Sequence, residues 1–148
     1  MIIEITTKAK YAGNEEGGFI GRMAHAGLKV RAARLARLYR VDAPFSRAEF
    51  VRLGSELLTD RITETYSLSR PRPVLKGWRV EIWLKDSVTD VVGESVKSAV
   101  ADVLGKEPDA VRFGRAYYVD CSSQKALRRA VAVTLVNETV NKFGIEKI

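Results

Sequence analysis

Apolar and polar residues alternate with period two over WRVEIWL (78–84), the pattern of a strand with one buried face, and IIEITTK (2–8) does the same. After the second of these strands in chain order, Asp90 precedes Val92, Val96, Ala99/Val100 and Val103/Leu104 at helical spacing. That predicts a helix capped by Asp90 and stopped at Gly105. Residues 110–121 are rich in Val, Phe and Tyr and read as a long strand. Ser122 or Ser123 then caps a helix with Leu127, Val131 and Leu135 on its inner face, and residues 140–148 return as a strand. In the first half, Ser46 and Glu49 form a capping box ahead of Phe50, Leu53 and Leu57. The stretch before it is harder to read. AGNEEGGFIG (12–21) is glycine-rich and reads as a flexible loop, and 17–26 has little helical periodicity.

The chain repeats itself. ARLARLYRVDA (33–43) lies over VRFGRAYYVDC (111–121) at an offset of 78, matching Arg34 with Arg112, Arg37 with Arg115 and Tyr39 with Tyr117. The same offset sets Leu57 on Leu135 and Ile62 on Val140. Upstream, one residue of slip sets Glu4 on Glu81, Ile5 on Ile82 and Lys8 on Lys85. The repeat places 33–43 on a strand, because its counterpart is strand-like. Arg31, Arg34, Arg37 and Arg40 then alternate between faces instead of forming one stripe. The expected fold is α+β, β-α-β-α-β written twice, with antiparallel sheets and helices on one face. Unit one spans 1–68, a linker 69–77 and unit two 78–148; two prolines around an arginine stiffen the linker. Each unit alone has a small core and a bare sheet face. The pair is expected to join sheet to sheet or edge to edge as an intramolecular pseudo-dimer.

Composition narrows the chemistry. One cysteine, Cys121, allows no internal disulfide, and with one histidine, His25, the chain lacks the ligands of a standard structural zinc site. No metal site is expected. MIIEITTKAK places acid and lysine where a signal peptide needs an apolar core, and no apolar run reaches a membrane span, so a cytoplasmic protein is expected. Net charge is +7, with 14 Lys/Arg against 8 Asp/Glu over 1–77 and 11 against 10 beyond. Residues 17–41 hold six basic residues and no acid. Such a stretch suits nucleic acid, a phosphorylated ligand or an acidic protein, or is a solvated face.

LKDSVTDVVG (84–93) resembles the Leu-Lys-x-x-Val-x-Asp-Pro-x-Gly pattern of the PurS family at Leu84, Lys85, Val88, Asp90 and Gly93, with Val91 in the proline position. VRFGR (111–115) resembles its Val-Arg-x-Gly-Lys block, with Arg115 for lysine, and LVNETVNKF (135–143) keeps the outline of its ending. The first unit resembles the family only in its second half, at LLTDRITE (57–64); Ala33 and Ala36 replace the valine and glycine of the block. The resemblance implies a non-catalytic subunit of formylglycinamidine ribonucleotide synthase in purine biosynthesis. Such a subunit would bridge the large synthetase subunit (PurL) and the glutaminase subunit (PurQ) for ammonia transfer. It would bind no cofactor itself, ATP and magnesium belonging to the large subunit. Whether the duplicated chain replaces the family's dimer or dimerises further is open.

On this reading Lys85, Asp90, Gly93, Arg112, Gly114 and Arg115, with Arg34 and Arg37 of the first unit, are the candidate contact positions. Each has a plain structural alternative: a turn, a cap or a solvated charge. Two other functions stay open. One is a basic nucleic-acid-binding module stacking Tyr39, Tyr117 and Tyr118 on bases; the other is a metabolite-sensing domain with a site between the copies. A Cys121–His25 catalytic pair has nothing to orient it.

Overall fold

The two alternating segments become strands that do not pair with each other; each organises its own half of the sheet. In this computed structural model, which describes residues 1–71 and 75–148, β1 (Ile2–Thr7) lies between β2 (Ala32–Asp42) and β3 (Glu64–Ser67). Likewise β4 (Trp78–Leu84) lies between β5 (Ala110–Asp120) and β6 (Asn141–Lys147). β2 and β5 pair antiparallel along their whole lengths, giving one antiparallel six-stranded sheet in the order β3-β1-β2-β5-β4-β6. The halves therefore meet edge to edge, and the two strands that would be bare edges satisfy each other.

Four helices cover one face: α1 (Gly13–His25), α2 (Arg47–Arg52, continued by a π turn over Leu53–Leu58), α3 (Val91–Leu104) and α4 (Gln124–Thr134). Along β2, Ala33, Tyr39 and Val41 join helical side chains in the core, whereas Ala36 and Leu38 face the other way. The expected caps are present. Ser46 and Glu49 close a capping box, Asp90 accepts from the Gly93 amide, and Ser123 accepts from the Ala126 amide. Gly105 ends α3 in the left-handed region at φ 68°.

One expectation fails. Residues 12–21 are not a flexible loop but most of α1. The helix forms because Phe19 and Met23, four residues apart, both insert into the core, at 4% and 0% exposure. The glycines that obscure the pattern lie outside: a Cβ at Gly13, Gly17, Gly18 or Gly21 would meet nothing within 4 Å.

The helices do not stay with their own halves. α1 packs beside α4, and their core contains Val80, Ile82, Tyr117 and Val119 of the second half. In the second cluster Val100 of α3 joins Ile3, Ile5, Phe50 and Leu53 of the first half. Neither half has a closed core of its own.

The connection between the halves starts over the helix-free face. Arg70 pairs with Glu81 on β4 and Glu146 on β6. Of the proline-bearing linker read at 69–77, residues 72–74 lie outside the described residues.

Candidate functional site

The motif residues of the second half converge on one knot at the β4–α3 connection. Asp90, 4% exposed, accepts from the Gly93 amide through Oδ1 and the Phe113 amide through Oδ2, both at 2.7 Å. Arg112 donates to the Leu84 and Lys85 carbonyls at 3.1 and 3.0 Å and lies 3.9 Å from Asp90. The Lys85 amide donates to the Val140 carbonyl. These bonds bind the start of α3 to the start of β5, leaving no room at Gly93, where a Cβ would stand 2.3 Å from the Val111 carbonyl oxygen. Gly114 serves the other face, where the Trp83 ring lies flat against it, 2.5 Å from a would-be Cβ.

The glycines therefore predict opposite signs. Gly93→Ala drives a methyl group into backbone that cannot swing away and is expected to cost about 2–3 kcal/mol. Gly18→Ala, on the open side of α1, is expected to stabilise by about 0.5–1 kcal/mol. Urea denaturation of the two variants checks both.

In the first half Arg34 repeats the knot with different partners. It donates to the Thr7 carbonyl, the last residue of β1, as Arg112 does to that of β4, and it pairs with Glu16 of α1 at 3.3 Å. Arg37 is held on both sides. It makes two hydrogen bonds to Glu64 and others to the Leu58 carbonyl and the Tyr39 hydroxyl. The hydrogen bond from Arg37 holds the Glu64 carboxyl below the ordinary carboxylate range.

Arg115 stands directly across the β2–β5 ladder from Arg37. It is exposed and has no hydrogen-bond or ion-pair partner among the described residues. Register explains the difference. Glu64 pairs with Thr7 at the end of β1, and the residue paired with Leu84 at the end of β4 is Asn141. The second half thus offers an amide where the first offers a carboxylate. Of the eight candidate positions, Arg115 alone presents an unengaged guanidinium.

A polar network not anticipated from the sequence lies on the helix-free face. Arg79 donates to Glu4 at 2.8 Å, to Glu81 at 3.0 Å and to the Tyr118 hydroxyl, which in turn donates to Glu4. Glu4, Arg79 and Tyr118 are 3%, 4% and 5% exposed. Small neighbours, Ala36 and Ala116, let these long side chains lie across the seam between the halves. Burial, reinforced by the Glu4 charge, raises the Tyr118 pKa, so the hydroxyl stays a donor. Burial opposes ionisation of Glu81, yet bonds from Trp83 and Arg79 keep its pKa below the ordinary value. The matched Glu4 and Glu81 were the visible signal: an acid at the same place in two alternating strands.

The basic stretch at 17–41 is largely neutralised: Arg31 pairs with Asp120, Arg34 with Glu16, Arg37 with Glu64 and Arg40 with Asp42. Tyr39, Tyr117 and Tyr118 are buried, so they offer no stacking surface for bases. Cys121 is buried, and desolvation raises its thiol pKa. His25 is exposed at the end of α1. One groove over the β2–β5 seam, at Arg37, Arg115 and Tyr117, encloses about 160 Å3, below the roughly 300–1,000 Å3 of small-molecule sites. No helix among the described residues is long and apolar enough to cross a membrane.

A search of curated proteins finds no match to the chain. The family model PurS, described as phosphoribosylformylglycinamidine (FGAM) synthase, matches residues 78–148, the half that holds the Asp90–Arg112 knot. Residues 78–148 of this chain thus match the PurS family, and the match supports a role in FGAM synthase and purine biosynthesis.

Proposed function

We propose that the chain is a non-catalytic assembly subunit of FGAM synthase carrying two PurS-like units in one polypeptide. The unit at 1–68 is divergent and the unit at 78–148 is the one the family model matches. The observation that carries this reading is the register of the sheet. Pairing sets Ile5 against Arg37 and Ile82 against Arg115, and Arg37 against Arg115 across the seam. A twofold relation between equivalent units puts matched residues opposite each other in this way. The internal repeat in the sequence and the shared element order support the same duplication.

In this reading the chain supplies both halves of a pseudo-dimer and bridges the synthetase and glutaminase subunits, so that ammonia passes between them without escaping. ATP and magnesium belong to the synthetase subunit. The two units differ where a bridge between unlike partners needs them to differ. The first knot uses Glu16 and the second Asp90, and Arg115 is free where Arg37 is paired. Arg115 is the contact position we select. Arg37→Glu would set a carboxylate against Glu64 and disturb the fold, so reversing both arginines does not isolate an interface.

The test is reconstitution with purified synthetase and glutaminase subunits from the same source. The chain is expected to be required for glutamine-dependent synthesis and dispensable when ammonia is supplied in solution. Arg115→Glu is expected to weaken the glutamine-dependent rate alone. Full glutamine-dependent activity without the chain would overturn the reading.

A further inference from the structure

α1 and α4 come from different halves yet lie side by side. Ala26 and Gly27, at the end of α1, and Ser123, Lys125, Ala126 and Arg129, at the start of α4, line an open cleft of about 410 Å3. Residues 17–30 and 123–137 contain no aspartate or glutamate. Arg22, Lys125 and Arg129 are exposed and have no ion-pair partner among the described residues. Arg22 stands one turn before Ala26, on the same side of α1. Arg22, left over from the basic stretch of the first half, thus lies on the same side as the cations of α4.

Folding gives no reason for this concentration. Lys125 and Arg129, four residues apart on one helix, repel each other. Lys125 also occupies the first turn of α4, where the helix dipole favours an acid. α1, α2 and α3 each carry an acid there and α4 has none. Val133, the next residue on the same stripe, is 70% exposed. Local stability is set against this arrangement at Lys125, Arg129 and Val133, whereas Arg22 sits in the last turn of α1, where the dipole favours a cation.

We propose that the α1–α4 face is the docking surface for an acidic patch of a partner protein subunit, an inference that rests on the assembly role above. Charge complementarity selects the sign of the partner. The stripe selects its class: it sets two cations beside an exposed valine, as protein interfaces mix charge with apolar contact, while the tyrosines that would serve nucleic acid are buried.

The test titrates the full-length chain calorimetrically against the purified synthetase and glutaminase subunits at low and high ionic strength. The variants are Arg22→Glu/Lys125→Glu/Arg129→Glu, the milder Lys125→Gln/Arg129→Gln, and Arg47→Glu on α2 as a control; thermal melting checks their folding. Wild-type affinity is expected to fall with salt. The triple reversal is expected to weaken binding to one subunit by about tenfold or more, the glutamine pair by less, and the control not at all. If the triple variant does not fold, the glutamine pair decides. Equal affinity of wild type and variants overturns the docking surface while leaving the assembly role standing. No binding by the wild type overturns both. Salt-sensitive binding of a mixed-sequence RNA that the triple variant loses, with subunit binding unchanged, assigns the face to nucleic acid and overturns the proposal.

Discussion

Arg79→Ala is expected to lower the free energy of unfolding by about 3–5 kcal/mol. Arg79 and Glu4 come from opposite halves, are almost wholly buried and are paired at 2.8 Å. Removing the guanidinium leaves the Glu4 carboxylate in a desolvated place with Tyr118 as its remaining donor. The cost is that of an unpaired buried charge rather than the worth of the pair. A domain is stable by only about 5–15 kcal/mol, so the loss is a large share of the total. Urea denaturation at neutral pH measures it.

The companion variant separates these two quantities. Glu4→Gln/Arg79→Met removes both charges and keeps similar volume. It is expected to recover most of the loss, because a buried ion pair replaced whole is close to neutral. A loss below about 1 kcal/mol for Arg79→Ala would mean that water reaches Glu4, and the network would then contribute no more than a surface pair.

What the sequence revealed and what it hid have separate physical causes. The strands were legible because period-two alternation runs through 3–6 and 78–82 and each half carries the same registers. The repeat placed residues 33–43 on β2, where propensity alone was undecided. α1 was hidden because glycines dilute its pattern, while two inward side chains, Phe19 and Met23, suffice to seat it. The π turn at Leu53–Leu58 leaves no trace in local sequence.

The buried network was half legible. Glu4 and Glu81 match in the repeat, but Arg79 and Tyr118 occupy register positions held by Ile2 and Arg40 in the first half. No symmetry argument could have supplied them. Motif spacing marked eight candidate residues without saying which hold the fold. Asp90, Gly93 and Arg112 all serve one loop, a requirement that looks the same in sequence as a binding site.

Phe19→Ala is expected to cost about 3–5 kcal/mol, and its effect should fall on the other half of the chain. Phe19 belongs to α1 of the first half, but its ring stacks on Tyr117 of β5 at 5.0 Å and 20°. Its core neighbours include Val80, Ile82, Leu127 and Val131. Truncation removes this aromatic pair, worth about 0.5–1.5 kcal/mol beyond its buried area, and leaves a cavity beneath α4. If the halves fold as one unit, unfolding stays a single transition with a lower midpoint. Amide hydrogen exchange should then quicken across β4, β5 and α4, which are remote in sequence from the substitution. Loss of protection confined to residues 1–67, or two separate transitions, would mean that each half closes its own core. The mixed helix pairs would then be mere contacts between independent units. Protection lost across the seam requires the first half, which the family model does not match, to act as the missing wall of the second.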